Sequence, residues 1–406
     1  MNKLLKNSIL FLISISFSSG VFAATGEKVE ISLEGRVRAE AKGNSDFNDS
    51  TGSSTDQTLS RFRMNLTANV NENTSMFFQP QYSKTWGSPT GTSGALTDDG
   101  GTPNTSVHQA YINYSPAKDW SILVGRAELN YGDQLLIGAV GWHNVGRSFD
   151  ATRVRYDYGM GKVDFLWSEI NEESAGATSD TTLLGLYSMN DFGQYFSNVD
   201  FYLLTKSDNT GGHKLANQYY GVRLKSNIAD FDYRAEVTLE KVEVYTTAKS
   251  SESANQYDIE VGHKFGPVRV DAEYFLASEY YDQLAPTGHK WLGYADLFSR
   301  KNITGFRVGV EGKITENFSA KIHYHDFSRT KTSSAAYTFT GAAWSSTASN
   351  KKSIANEIDL VLSYKVDKNV SVLAGYSTFS PGDYLKEVIG RNDSGNYGFV
   401  QLLVQQ

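Results

Sequence analysis

The residues best equipped for chemistry in this chain are arginines set two apart. Arg36 and Arg38, Arg61 and Arg63, and Arg153 and Arg155 each form an i, i+2 pair. On an extended strand that spacing puts both guanidinium groups on one face. A guanidinium fork matches a carboxylate with two hydrogen bonds, so a series of such pairs could hand an anionic group along. A second alternating set is acidic: Asp232, Glu236, Asp258, Glu260, Asp271 and Glu273. Arg223, Arg234, Arg269 and Arg307 occupy further polar positions of the same kind.

Catalytic constellations are poor by comparison. His323 and His325 share a strand face and could chelate a metal, but no third ligand is in view. His325 and Asp326 are neighbours on opposite faces of a strand and cannot form a dyad. Neither a G-x-S-x-G elbow nor an H-E-x-x-H helix occurs. Asp98 and Asp99 lie in a Gly/Thr/Ser stretch and read as solvated charges. The chain has no cysteine, which excludes disulfides, zinc–thiolate sites and a catalytic thiol. These observations point to no metal, cofactor, nucleic acid or enzymatic activity.

The elements that must position the charges are strands. Val29, Ile31, Leu33 and Val37 oppose Glu30, Ser32, Glu34, Arg36, Arg38 and Glu40. Phe62, Met64, Leu66, Ala68 and Val70 oppose Arg61, Arg63, Asn65, Thr67 and Asn69. The same period of two recurs at 231–240, 268–274, 318–325 and 357–365. Each segment is about ten residues long, which suits a tilted membrane strand. Connections alternate between short, as at 71–74, 115–119 and 265–267, and long, as at 41–58, 84–106, 129–148, 241–254, 277–302, 328–354 and 379–394. Short periplasmic turns and long extracellular loops have that pattern.

Composition agrees. The 406 residues include 24 Tyr, 22 Phe and 36 Gly against seven Pro. Trp120, Trp167, Tyr156, Tyr364, Tyr376 and Tyr397 suit aromatic girdles at the two membrane interfaces. Lys3 and Lys6, the apolar run Ile9–Phe17 and Val21-Phe22-Ala23 read as a secretion signal cleaved after Ala23. The formal charge of −7 then becomes −9 with those two lysines gone. After the signal, no apolar run approaches the ~20 residues of a membrane helix. The expectation is all-β: residues 1–23 a signal peptide, and 24–406 one transmembrane antiparallel up-and-down barrel in the outer membrane. Its strands number about eighteen, with the hairpins near 162–206 the least distinct.

If the apolar face meets lipid, the polar face lines a water-filled lumen. In a ring of eighteen, strand 2 stands opposite strand 11, so a basic wall would face an acidic one across a transverse field. The alternative is that these charges pair with one another and merely keep the lumen wet.

One stretch is more specific than periodicity. It reads Gly125-Arg126-Ala127-Glu128-Leu129-Asn130-Tyr131-Gly132-Asp133, then Leu136-Ile137-Gly138, then Trp142-His143-Asn144-Val145-Gly146-Arg147-Ser148-Phe149-Asp150. Two later pieces, Gly288–Leu297 and Pro381-Gly382-Asp383-Tyr384-Leu385, belong with it. Together they resemble the alginate-export family of outer-membrane porins. The resemblance implies an eighteen-stranded, monomeric barrel with a lumen suited to an acidic polysaccharide. It carries over Arg126, Glu128, Asp133, Arg147 and Asp150 by motif position as expected pore-lining residues, with Arg147 and Asp150 expected to brace the loop by ion pairs. The mixed charge departs from a simple polyanion channel. The expected function is passive passage of a hydrophilic, anionic saccharide or organic-acid solute. The rival readings are a general diffusion porin, an adhesion or structural barrel, and a barrel hydrolase.

Overall fold

The computed structural model describes residues 28–86, 104–171, 180–208, 215–245 and 249–406. Residues 1–23, expected to be a signal peptide, and Asp98-Asp99 lie outside the described residues. Eighteen strands occur among those described. They are β1 (Lys28–Gly43), β2 (Thr55–Asn71), β3 (Thr74–Thr85), β4 (Asn104–Ala117), β5 (Trp120–Ala127) and β6 (Phe149–Asp157). Then follow β7 (Gly161–Asn171), β8 (Thr181–Asn190), β9 (Asn198–Asp208), β10 (Leu215–Ile228), β11 (Phe231–Tyr245) and β12 (Lys249–Phe265). The last six are β13 (Val268–Ala277), β14 (Ile303–Lys313), β15 (Phe318–Ser328), β16 (Ser353–Lys365), β17 (Val370–Pro381) and β18 (Gly395–Gln405).

Each strand pairs antiparallel with the next, and β18 returns to β1 with Glu34 opposite Gln405 and Arg38 opposite Gln401. Closure removes the sheet edges, so the ladder's backbone groups are satisfied within the wall, as a membrane requires. Alternation sorts the side chains. Phe62 is 51% exposed on the outer face while Arg61 and Arg63 are 5% and 7% exposed within. Ile31, Val124, Leu184, Val308 and Leu402 continue the outer apolar belt.

Short connections at 118–119, 158–160, 191–197, 229–230, 266–267 and 366–369 mark one end. Aromatic and apolar side chains crowd there. Trp120 stacks on Tyr156 with ring centroids 4.6 Å apart, and Tyr158, Phe192, Phe231, Phe265 and Tyr364 are exposed nearby. They form a girdle at the membrane interface. Tyr397, expected in a girdle, instead points inward, where its hydroxyl donates to Glu40 Oε2 at 2.7 Å. Another expectation needs correction. Much of 241–254 is strand, not loop, because β11 runs to Tyr245 and β12 begins at Lys249. A strand standing clear of the lipid needs no apolar outer face, so its polar composition imitates a loop.

Long connections at the opposite end turn into the barrel. Loop 128–148 meets loop 278–302, with Gly138 N–H donating to Ala285 O and Ala285 N–H to Leu136 O, both at 2.9 Å. Thr287 N–H donates to Gln134 O at 3.0 Å beside them. Two apolar clusters seal these loops to the wall. One includes Phe275, Trp291, Phe298, Phe327 and Phe379, and the other Leu129, Tyr131, Leu166, Tyr187 and Tyr202. A short helix, α1 (Asp383–Ile389), closes over the first with Tyr384 and Leu385 fully buried. The last resembling piece thus serves packing, and Arg329 lies over the Tyr384 ring at 3.9 Å.

Candidate functional site in the barrel lumen

The arginines of β1 and β2 face inward as the alternation requires, but they are not open to the lumen. They hold the backbone of loop 128–148. Arg36 donates from Nη1 to Gly141 O at 2.8 Å and from Nη2 to His143 O at 3.0 Å. Arg61 Nη1 reaches the same two carbonyls, each at 3.1 Å. Arg38 Nη1 donates to Trp142 O at 2.8 Å, and Arg63 Nη2 to Val145 O at 3.1 Å. Their remaining edges meet side chains: Arg61 pairs with Glu34 at 2.7 Å, Arg38 with Glu40 at 3.0 Å and Arg63 with Glu128 at 3.3 Å. Charge-assisted bonds of this kind are stronger than neutral ones. The loop's glycines make the approach possible. Gly146 adopts φ +83°, and a Cβ there would lie 2.9 Å from Arg63 Nη2.

The loop's other end is pinned to the far wall. Asp133 Oδ2 accepts from Arg223 Nη2 at 2.5 Å, and its Oδ1 accepts from Lys225 Nζ at 2.7 Å. Lys290 Nζ donates to the Asp133 carbonyl at 3.0 Å. Burial would raise the Asp133 carboxyl, but Arg223 and Lys225 outweigh it and hold it at about 2. Arg223 spans from Asp133 to Asp200, 2.9 Å from its Nη1. Two residues before Asp133, the Tyr131 hydroxyl donates to Asp164 at 2.8 Å, and Arg155 grips that carboxylate at 2.6 and 2.7 Å.

The acidic wall carries its own cations. Arg234 lies 2.6 Å from Asp258, 3.2 Å from Glu260 and 3.5 Å from Glu273. Arg269 lies within 2.7 Å of Asp232, Glu260 and Asp271. Arg307 contacts Asp271 and Glu273, each at 2.8 Å. Glu236 accepts from the Tyr202 hydroxyl at 3.0 Å. The two bare, opposed walls expected from the sequence are therefore replaced. One is covered by a loop and the other is laced with guanidinium groups.

Three motif residues sit differently from expectation. Arg126 and Asp150 pair at 2.9 Å on the outer face, with 41% and 60% of their side chains exposed, rather than lining the pore. The chain passes Gly125 at φ +129° without leaving the strand, so Arg126 keeps the outward phase of Val124. Arg147 makes no ion pair with Asp150. It donates to the carbonyls of Gly138 at 3.3 Å and Pro286 at 3.0 Å, tying the two inner loops together, and its burial lowers its pKa. Glu128 is inward and accepts from His108 at 2.8 Å as well as from Arg63.

What remains open to the lumen is a smaller cationic group. Lys225 and Lys290 have 50% and 47% of their side chains exposed and Arg155 has 27%. Arg153 is half-buried two residues before Arg155 on the same strand. Lys225 repeats the i, i+2 signal with Arg223 and was readable in the sequence. Lys290 lies in a loop with no period to announce it.

A closed eighteen-stranded antiparallel barrel whose lumen is narrowed by anchored inner loops is an outer-membrane channel for hydrophilic solutes. Residues 27–399 match the alginate export family model, and the chain belongs to that family. No curated protein sequence matches the chain. Among solved structures, a BenF-like porin from Pseudomonas fluorescens Pf-5 is similar, with TM-score 0.67, 10% identity and coverage of 93% of this chain and 99% of that one. Pseudomonas aeruginosa OccK8 (OprE) gives TM-score 0.63 at 9% identity, covering 93% and 98% of the two chains. Pseudomonas aeruginosa OccK2 (OpdF), solved in complex with glucuronate, gives 0.62 at 9% identity, covering 93% and 96%. At these identities the likeness is one of fold.

Proposed function

We propose that the channel passes small anionic saccharides or organic acids passively, as a monomer, after a signal peptide at residues 1–23 is removed and 24–406 forms the barrel. Transport, not catalysis, is the reading. The observation that carries it is the cationic cluster at Asp133. One loop carboxylate is shared among Arg223, Lys225 and Lys290, and two of those three cations remain half exposed to the lumen. A passing carboxylate meets a surplus of positive charge there. Binding has to be favourable enough for entry and weak enough for release, and two exposed lysines beside a competing aspartate suit that balance. The glucuronate bound to OccK2 gives a fitting probe.

The test is current through single channels in a planar bilayer, with glucuronate or a short oligouronate titrated as blocker and glucose as neutral control. Block by the uronates should exceed that by glucose, and Lys225→Gln with Lys290→Gln should remove the difference and shift ion selectivity towards cations. Equal block by charged and neutral sugars, unchanged in the double variant, would instead make the protein a general diffusion porin.

A further inference from the structure

A cavity of about 360 Å³ lies where β1 and β2 face loops 128–148, 278–302 and 329–352. That volume is within the usual range of small-molecule pockets. Phe339 stands in its wall with 41% of the residue exposed. The ring belongs to an inner loop, so water meets it rather than lipid. It is also held firmly. Phe339 N–H donates to Leu297 O at 3.0 Å, and Thr338 N–H donates to Ala342 O at 2.7 Å. Gly341 N–H closes the turn on Thr338 O at 2.8 Å. The ring lies against Gly288, where a Cβ would come 2.8 Å from Phe339 Cε2.

The rest of the wall offers hydrogen-bonding groups of both kinds and balanced charge. Arg38 and Lys42 are matched by Glu40 and Asp296. Arg38 pairs with Glu40 at 3.0 Å, and Lys42 Nζ donates to the Ala295 carbonyl. Asp296 Oδ2 lies 2.8 Å from His289 Nδ1, yet 25% of its side chain stays accessible. Thr55 is exposed and Gln57 half-buried on the inward phase of β2, the phase of Arg61 and Arg63. A hydroxyl both donates and accepts, so a mixed, balanced wall suits hydroxyls better than a carboxylate. An aromatic face carries negative potential, which draws the partly positive C–H groups on the apolar face of a pyranose. An aromatic surface with a few convergent polar groups is the usual build of a small-molecule site.

We infer that this cavity is a subsite for the ring of a pyranose, its apolar C–H face on Phe339 and its hydroxyls towards Asp296, Thr55 and Gln57. The inference rests on the reading of the barrel as a solute channel and narrows its cargo to saccharides. An organic acid without a sugar ring gains nothing from this wall. The cation cluster adjoins the cavity through one short turn. In Gly288–Lys290, His289 lines the cavity while Lys290 donates to the Asp133 carbonyl. The ring and the carboxylate of a passing uronate are thus read at separate stations.

The test is single-channel block of the refolded full-length barrel in planar bilayers. The probes are cellobiose, polyethylene glycol of matched mass as a size control, and succinate as an acid without a ring. Cellobiose should block the parent at least threefold more strongly than the glycol. Phe339→Leu keeps apolar bulk against Gly288 but loses the aromatic face, and should abolish that difference. Phe339→Trp should restore it. Succinate block should be the same in the parent and Phe339→Leu. Lys225→Gln with Lys290→Gln should weaken succinate block and leave cellobiose block unchanged, so either site can fail while the other stands. Equal block of the parent by cellobiose and the glycol, or undiminished cellobiose block in Phe339→Leu, would overturn the assignment. So would an equal loss of cellobiose and succinate block in Phe339→Leu, which marks a displaced loop rather than a lost platform.

Discussion

Arg223 Nη2 lies 2.5 Å from Asp133 Oδ2, although ninety positions separate the two residues in the chain. The pair fixes one end of an inner loop to the barrel wall, and it determines how that loop should respond to acid. The Asp133 carboxyl is held at about 2, below its ordinary 3.8, so the folded state favours its charged form.

The loop anchorage should therefore be fully present above about pH 4 and be lost as pH falls through about 2. A depression of that size corresponds to about 2 kcal/mol. Asp133→Asn should reproduce at neutral pH the current noise of the parent channel at low pH. Identical noise in parent and variant across that window would mean that the pair does not hold the loop.

Arg61 bonds two loop carbonyls and the Glu34 carboxylate while almost fully buried. Arg61→Ala should release part of the clamp at a cost of roughly 1–3 kcal/mol. Single-channel current should rise or become noisier, and limited proteolysis should begin to cut within 128–148. A digestion pattern and current equal to the parent's would place the loop's support elsewhere.

Arg126 and Asp150 form a half-exposed pair outside the lumen. Arg126→Ala should cost less than about 1 kcal/mol and leave conductance and selectivity unchanged. A shift in reversal potential would return Arg126 to the pore.

Phe62 points outward between Arg61 and Arg63. Phe62→Arg should destabilise the barrel in bilayers by roughly 2–4 kcal/mol if it lies near the membrane midplane, read from folding titrations in lipid vesicles. Folding as stable as the parent's would mean that the strand phase is inverted.

Much of this was legible in the sequence because a strand has a period of two and a membrane has two solvents. That pattern gave the strands, their phase and the inward arginines of β1 and β2. The main-chain partners of those arginines were not legible. They are backbone carbonyls of Gly141, Trp142, His143 and Val145, and a carbonyl is present at every position of every chain. Lys290 was missed because it lies in a loop, where no alternation marks which way a side chain turns. Arg126 shows the converse. Its motif suggested the pore, while its phase with Ile122 and Val124 pointed outward, and the phase prevailed.

The arginine clamp grips chiefly main-chain oxygens, and touches loop side chains only at Glu128, Trp142 and Asn144 among the described residues. Where the loop sits and what it shows to a passing molecule are thus written in different atoms. Substitutions at loop positions whose side chains take no part in these bonds can accumulate without loosening the grip of Arg36 and Arg61 on the backbone. A barrel built this way can change its cargo by drift in a few loop residues while its framework stays unaltered.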